Sequence, residues 1–281
     1  MDPLTKTLTL IFLITTMAAI GLKVTTGELV SALRERSLMV RSLVVNMIIV
    51  PLLGLLLVKI VPMSQDAEVG ILLLAAAPGG LNAIQFTSKS KSALCYAASL
   101  LFILTLLSFL LSPAIAGIML PINTSLTLPY GKVIRFLLLY LFLPLLAGLG
   151  VHRVSKRFAD MLSKPVALCG TVFFVVVVIR LMTQRKQAMA SMGKTELAAM
   201  IGFIIITMII GWLFGGPSKE TRRVLATTTS MRNAALCLVI AMNCFPDTNV
   251  VVTVVAFSAL MIPPNMLFTV YEIVKRRHGE T

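Results

Sequence analysis

Long apolar runs separated by short polar segments make up almost the whole chain. A helix needs about 20 apolar residues to cross the hydrocarbon core of a membrane, and nine runs approach that length. The pattern predicts an all-α polytopic membrane protein with nine transmembrane helices, in a single transmembrane domain that occupies residues 1–281. The predicted spans are 7–22, 38–60, 69–88, 93–119, 134–151, 165–183, 196–214, 222–245 and 250–273.

Two of these spans are interrupted in the middle. The third contains Pro78-Gly79-Gly80, which removes an amide donor and adds two poor helix formers. The eighth contains a polar run over 227–233. Because these spans lie five crossings apart, they traverse the membrane in opposite directions, which is the pattern of an inverted-repeat transporter. The alternative is an isolated proline kink together with a Ser/Thr-rich packing face.

Composition and charge support a membrane location. The chain is 58% hydrophobic and 13% charged, whereas soluble domains are about 25% charged. With the N-terminus outside, about twice as many Lys and Arg residues fall inside as outside. We therefore predict a multi-pass protein of the inner (plasma) membrane with a cytoplasmic C-terminus. The net charge of +14 follows these loops, so no nucleic-acid partner is expected. The exception is the basic stretch 180–194, which this orientation places outside.

Polar residues at the interruptions are the candidate functional groups. Asn82 and Asn233 follow the two breaks, where an amide can bind a carboxylate or cap the second half-helix. Arg232 lies within an apolar span, where an arginine costs at least about 2.5–3.5 kcal/mol. It would either hold a substrate carboxylate in a bidentate fork or act as a fixed cation paired with backbone carbonyls. Acidic residues occur only near span ends, so an acidic partner is not expected.

Other chemistry finds little support in the sequence. No aspartate lies in a span core, and neither HExxH nor GxSxG occurs. An enzyme is therefore not expected, and neither is a cofactor. His152 and His278 stand beside basic residues at predicted cytoplasmic ends, so both are expected to be solvated. The sequence gives no indication of the oligomeric state.

Several motifs together resemble the bile acid:sodium symporter (BASS) family. They are Ala18–Lys23, Pro51 after Asn46, Pro78-Gly79-Gly80, and the segment Ser230–Leu236, and the resemblance extends over about 10–273. It implies the nine-span form of a fold with a panel domain and a core domain, in which two discontinuous helices cross. It also implies a secondary transporter that moves an organic anion (bile acid-, pantoate- or keto acid-like) by alternating access. Transport in the family is usually coupled to two sodium ions near the crossing.

The chain departs from this family at the positions that the resemblance assigns to sodium. Thr228 and Arg232 stand where the family has a glutamate and a glutamine, and Asn46 replaces another glutamine. The third span has a shortened motif, so that the hydroxyl ligands of the family fall at Cys95 and Ser99. The residues implied in substrate binding are Asn82, Asn233, Arg232, Gly80 and Leu81. The residues implied in ion binding, or in its replacement, are Thr228, Thr229, Ser230, Met231, Arg232, Asn46, Cys95 and Ser99.

A charge count suggests what this departure means. One glutamate with two sodium ions carries a net charge of +1, and Thr228 with Arg232 carries the same charge. We therefore expect Arg232 to replace bound sodium permanently and sodium coupling to be weak or absent. The alternatives are a conventional symporter, in which carbonyls with Thr228 and Ser99 still bind one sodium, a passive channel or facilitator, and a non-transporting sensor. The low aromatic content of 7% favours a small anion.

Overall fold

The computed structural model describes residues 3–23, 36–80, 83, 86, 91–119, 130–190, 192–245 and 248–278. Within these ranges the ordered elements are all helical. Two π-helical turns, Val45–Ile49 and Leu138–Phe142, connect α2 to α3 and α6 to α7. The α-helices are α1 Pro3–Lys23, α2 Arg36–Val44, α3 Val50–Ile60, α4 Gln65–Ala76, α5 Lys91–Met119, α6 Tyr130–Leu137, α7 Leu143–Val154, α8 Lys156–Gln184, α9 Lys186–Ala190, α10 Lys194–Phe214, α11 Lys219–Ser230, α12 Ala234–Cys244, α13 Val250–Leu260 and α14 Ile262–His278.

Eight helical stretches in the described part of the chain are long and apolar enough to cross a membrane. The prediction of an all-α polytopic membrane protein is therefore confirmed, but the count of nine is not. The missing span is the third, because α4 has only 12 residues before its interruption, and most of 81–90 lies outside the described residues. The eight stretches are Pro3–Lys23, Arg36–Ile60, Tyr96–Met119, Ile134–Val154, Lys156–Gln184, Lys194–Phe214, Lys219–Cys244 and Val250–Glu272.

Serine caps explain why some helices begin before their apolar runs. Helix α8 starts nine residues ahead of the predicted boundary at 165, because the Ser155 hydroxyl accepts a hydrogen bond from the Phe158 amide. Ser64 and Ser218 cap α4 and α11 in the same way. The polar first turns of α8 and α11 therefore extend these helices beyond the apolar length on which the predicted boundaries were based.

Burial separates the interrupted helices from the helices at the perimeter. In the most apolar stretch of α8, only 17% of the residues are buried, and the exposed side chains include Leu168, Val172 and Ile179. In the corresponding stretch across α11 and α12, 100% of the residues are buried. Irregular backbone and polar groups are tolerated at membrane depth when protein surrounds them. The second interruption therefore lies inside the protein, away from lipid.

Helices α1 and α7 approach each other through two glycines. A Cβ atom added to Gly148 would overlap the Ala18 carbonyl oxygen, and one added to Gly21 would overlap the Leu145 carbonyl oxygen. Small residues of this kind let helix backbones touch in membrane proteins. His152 lies at the end of the same contact, where its Nδ1 atom is 2.6 Å from the Leu22 carbonyl oxygen. The expectation that His152 is solvated was wrong, since its side chain is 9% exposed.

Candidate functional site

The two interruptions lie side by side and pair through their backbones. The Gly80 amide donates to the Met231 carbonyl oxygen at 3.0 Å, and the Asn233 amide donates to the Ala77 carbonyl oxygen at 2.9 Å. Gly79 has a positive φ of 91°, which favours glycine. A Cβ atom on Gly80 would overlap the Met231 carbonyl. The Gly-Gly pair is therefore required by the turn and by the close approach of the second broken helix.

Asn233 begins the second half of that helix. Its Oδ1 atom accepts a hydrogen bond from the Leu236 amide at 3.1 Å and so caps α12. Its Nδ2 atom is buried and has no hydrogen-bond partner among the described residues. One side chain therefore fulfils the capping role and leaves an amide donor available at the crossing.

Arg232 is completely buried, with 0% of its side chain exposed. Its Nε atom donates to the Leu74 carbonyl at 2.8 Å, and its Nη2 atom donates to the Ala75 carbonyl at 2.6 Å. Its Nη1 atom donates to Asn46 Oδ1 at 3.1 Å and to the Thr229 carbonyl at 3.4 Å. Of the two roles that the sequence left open, this geometry corresponds to pairing with backbone carbonyls.

These carbonyls belong to two helix ends. Leu74 and Ala75 lie in the last turn of α4, and Thr229 lies in the last turn of α11. The final carbonyls of a helix lack partners within the helix and carry the negative end of the helix dipole. The guanidinium of Arg232 thus donates hydrogen bonds to carbonyls at the C-terminal ends of two helices and offsets their partial negative charge. The groups that pair with it are dipoles rather than carboxylates.

Asn46 is oriented towards Arg232 by its own donors. Its Nδ2 atom donates to the Ser42 carbonyl at 3.0 Å and to Thr229 Oγ1 at 3.3 Å, so its oxygen faces the guanidinium. Asn46 lies on the π-helical turn Val45–Ile49, and Pro51 follows as the second residue of α3. A proline ring crowds the carbonyl four residues before it, and a wider turn relieves this contact. Such turns occur frequently at functional sites.

The other residues singled out from the sequence have different surroundings. Thr228 Oγ1 donates to the Val224 carbonyl of its own helix at 2.5 Å. The Ser230 hydroxyl donates to Asn265 Oδ1 at 2.8 Å. Ser99 is fully buried on α5. Leu81 and Asn82 lie outside the described residues, and so does the side chain of Cys95. Their predicted roles remain predictions.

Sequence reasoning missed two polar residues near the breaks. Asn265 is fully buried on α14, and its position as an amide inside an apolar span was a signal that the sequence offered. Arg223 fell among the cytoplasmic charges, yet its side chain is only 4% exposed. Its Nε atom donates to the Phe86 carbonyl at 3.2 Å. No sequence pattern indicates that interaction, because the acceptor is a backbone group.

An all-helical membrane protein in which two interrupted helices meet around buried polar groups has the architecture of a secondary transporter. The sequence model of the sodium bile acid symporter family matches residues 10–192. The chain belongs to this family, as the motif resemblance predicted, and is a multi-pass membrane transporter. No curated protein gives a significant match. The family match ends before α11, so Arg232 and Asn233 lie beyond the matched segment.

Proposed function

We propose that this transporter carries a small organic anion across the membrane by alternating access and is not coupled to sodium. The observation that supports the proposal is the set of four hydrogen bonds made by the buried guanidinium of Arg232. Half-helix C-terminal ends coordinate the coupling cation in transporters with broken helices. Here an arginine occupies the space between two such ends.

A sodium ion would find few ligands beside this guanidinium. Sodium in a low-dielectric site needs hard oxygen ligands, and the carbonyls of Leu74 and Ala75 already accept hydrogen bonds from Arg232. Two like charges a few ångströms apart in a protein interior repel by several kcal/mol. Thr228, which replaces the glutamate of the family, brings no compensating negative charge. We infer that Arg232 supplies the positive charge that bound sodium supplies elsewhere in the family.

The anion would bind at the start of α12. The N-terminal end of a helix carries the positive end of its dipole and attracts anionic groups. Asn233 adds a buried Nδ2 donor that has no partner among the described residues. A substrate carboxylate would accept this hydrogen bond. In the proposal, Gly80, Leu81 and Asn82 of the other interruption complete the substrate contacts, as the family resemblance implies.

The proposal includes an orientation in the membrane. We infer a single inverted-repeat domain in the inner (plasma) membrane, with the N-terminus outside and the C-terminus in the cytoplasm. The distribution of Lys and Arg between the predicted loops supports this orientation. A fluorescent reporter fused to the C-terminus should fold and fluoresce in the cytoplasm, whereas a periplasmic phosphatase fused there should remain inactive.

The first experiment is a thermal melt of the purified protein against a panel of organic anions in sodium and in choline buffers. A ligand at ten times its dissociation constant stabilises the native state by about 1.4 kcal/mol. We expect one class of carboxylate to raise the melting temperature equally in both buffers. In the Arg232→Gln variant we expect sodium to become stabilising, since the carbonyls released by the guanidinium are again free to bind a cation.

Sodium symport is the second candidate, because it is the activity for which the family is named. An anion-induced shift that appears only in sodium would favour symport and contradict the proposal. Tight sodium binding by the unsubstituted protein would contradict it as well. Loss of every anion-induced shift in both buffers would contradict the choice of substrate class.

A further inference from the structure

A small pocket lies at the end of the molecule where α1 begins. Its volume is about 190 Å³, and it is lined by residues of α1, α6 and α12. Val239 and Asn243, which line it on α12, are six and ten residues beyond Asn233, or about 9 and 15 Å along a helix. The pocket is therefore separate from the crossing and lies towards the membrane surface from it.

The size of the pocket limits its occupant. Pockets that enclose drug-sized ligands usually measure about 300–1,000 Å³, so the enclosed part of this pocket suits a ligand smaller than a steroid. Leu10, Leu13, Phe136, Val239 and Met242 provide an apolar wall. Such a lining suits a short aliphatic chain.

The polar groups of the pocket suit a single negative charge. Lys6 lines it as an exposed side chain, and its ammonium group makes no hydrogen bond or ion pair within the described part of the chain. Asn243 also lines it, and its Nδ2 atom donates one hydrogen bond to the Val239 carbonyl at 2.8 Å, which leaves a second N–H. A carboxylate between these two side chains would receive a charge-assisted hydrogen bond from the lysine.

Further cations surround this end of the molecule. Arg180 donates through Nε to Thr5 Oγ1 at 3.3 Å, next to Lys6 in the chain. Arg185 donates through Nη1 to Asn249 Oδ1 at 3.2 Å, and the backbone N–H of Asn249 donates to Asp66 Oδ2 at 3.0 Å. This geometry places the start of the basic stretch 180–194 at the same end as Lys6. These cations share this end with the carboxylate of Asp66. An excess of positive charge here would raise the local concentration of anions, which gives a reason for basic residues on the side where few are expected.

We propose that this pocket is a second anion subsite, in which a small aliphatic monocarboxylate binds before it reaches the helix crossing or after it leaves. The inference rests on the proposed function, because it assigns a substrate class and an access site to the same transport path. Lys6 fixes the carboxylate, and the apolar wall selects a short hydrocarbon tail. Because α12 forms part of both sites, a movement of this helix would affect the two sites together.

The test is substrate counterflow in proteoliposomes, with a series of branched and linear monocarboxylates. An ion pair with an exposed lysine changes affinity by up to about fivefold. We expect Lys6→Gln to raise KM by up to about fivefold with little change in kcat, and Lys6→Arg to retain most of the affinity. Lys59→Gln is the matched control, because Lys59 is, like Lys6, an exposed lysine, and it lies at the end of α3 and does not line the pocket.

The outcomes separate this inference from the proposed function. If the unsubstituted protein transports another organic anion but no monocarboxylate, the substrate class and the subsite are overturned and the proposed function stands. If it transports no organic anion at all, the proposed function fails and the subsite fails with it. If it transports a monocarboxylate and Lys6→Gln leaves KM unchanged, the subsite alone is overturned. Each assay is repeated in liposomes with and without phosphatidylglycerol. A Lys6→Gln effect that appears only with this anionic lipid would assign Lys6 to a headgroup phosphate and overturn the subsite.

Discussion

At the level of single residues, Asn233 combines a structural and a chemical role that substitution can separate. Serine caps a helix about as well as asparagine but has no amide N–H₂ group. Asn233→Ser should therefore leave the melting temperature nearly unchanged, because the Leu236 amide keeps an acceptor. The substitution should lower the affinity for the anion by about tenfold or more, since the Nδ2 donor is lost.

Asn233→Ala is the comparison that loses both roles. Loss of an N-cap costs about 1 kcal/mol of stability, so this variant should melt earlier as well as bind anion weakly. The measurements are thermal melts without ligand and KM values from counterflow. If Asn233→Ser binds the anion as tightly as the unsubstituted protein, the amide donor does not contact substrate.

The sequence indicated Arg232 but not its partners. An arginine within an apolar run is visible in one sequence, and so is the absence of an acidic residue to pair with it. Its acceptors at Leu74 and Ala75 are backbone oxygens more than 150 positions away. Residue identity does not encode such acceptors, because any residue at the end of α4 would present a carbonyl. The backbone partners of the Arg232 side chain could therefore be identified only from the three-dimensional structure.

At the level of helices, the glycine contact between α1 and α7 is open to a direct test. A methyl group at 148 would overlap the Ala18 carbonyl, whereas a methyl group at 150 meets no atom within 4 Å. Overpacking of a tight contact usually costs about 1–3 kcal/mol, and Gly→Ala in an open helical position contributes up to about 1 kcal/mol of stability. We expect Gly148→Ala to melt earlier and Gly150→Ala to melt at the same temperature or later.

These two variants differ by one turn or less on the same helix, so they share lipid, loop and propensity effects. The melt of each in the same detergent provides the measurement. Equal melting temperatures for the two variants would show that α1 and α7 can move apart without loss of stability. That result would contradict the prediction that the close approach of Gly21 and Gly148 matters for stability.

Sequence patterns predicted the interrupted helices better than the helix boundaries. Pro78-Gly79-Gly80 and the polar run at 227–233 marked the two breaks, because both remove helical hydrogen bonding or replace apolar side chains. The starts of α8 and α11 were less predictable from the sequence. The apolar run ends where the bilayer core ends, whereas each helix extends further, to its serine cap. The pairing of the two breaks follows from the fold, and the inverted repeat remains a prediction.

At the level of the whole molecule, the helices differ in how much of their surface is buried by other helices. Most of the apolar surface of α8 is exposed, as is typical of a helix that faces lipid, and protein surrounds α11 and α12. This contrast was not predictable from apolar content, because all of these spans are apolar enough to cross a membrane. The polar run of the eighth span was the local signal for a protein environment, since lipid would leave its hydroxyl and guanidinium groups without partners.

A cation that is part of the polypeptide cannot be taken up on one side of the membrane and released on the other. If Arg232 holds the place of the coupling ion, no sodium gradient contributes to accumulation, and a monovalent anion moves with its own gradient and the membrane potential. A potential of 100 mV contributes about 2.3 kcal/mol per elementary charge, which corresponds to a roughly fifty-fold ratio of anion concentrations across the membrane at equilibrium. We expect an imposed inside-negative potassium diffusion potential to accelerate efflux of the anion from proteoliposomes. A sodium gradient should change neither the rate of influx nor the rate of efflux. The carrier would then act as an exporter in an energised cell.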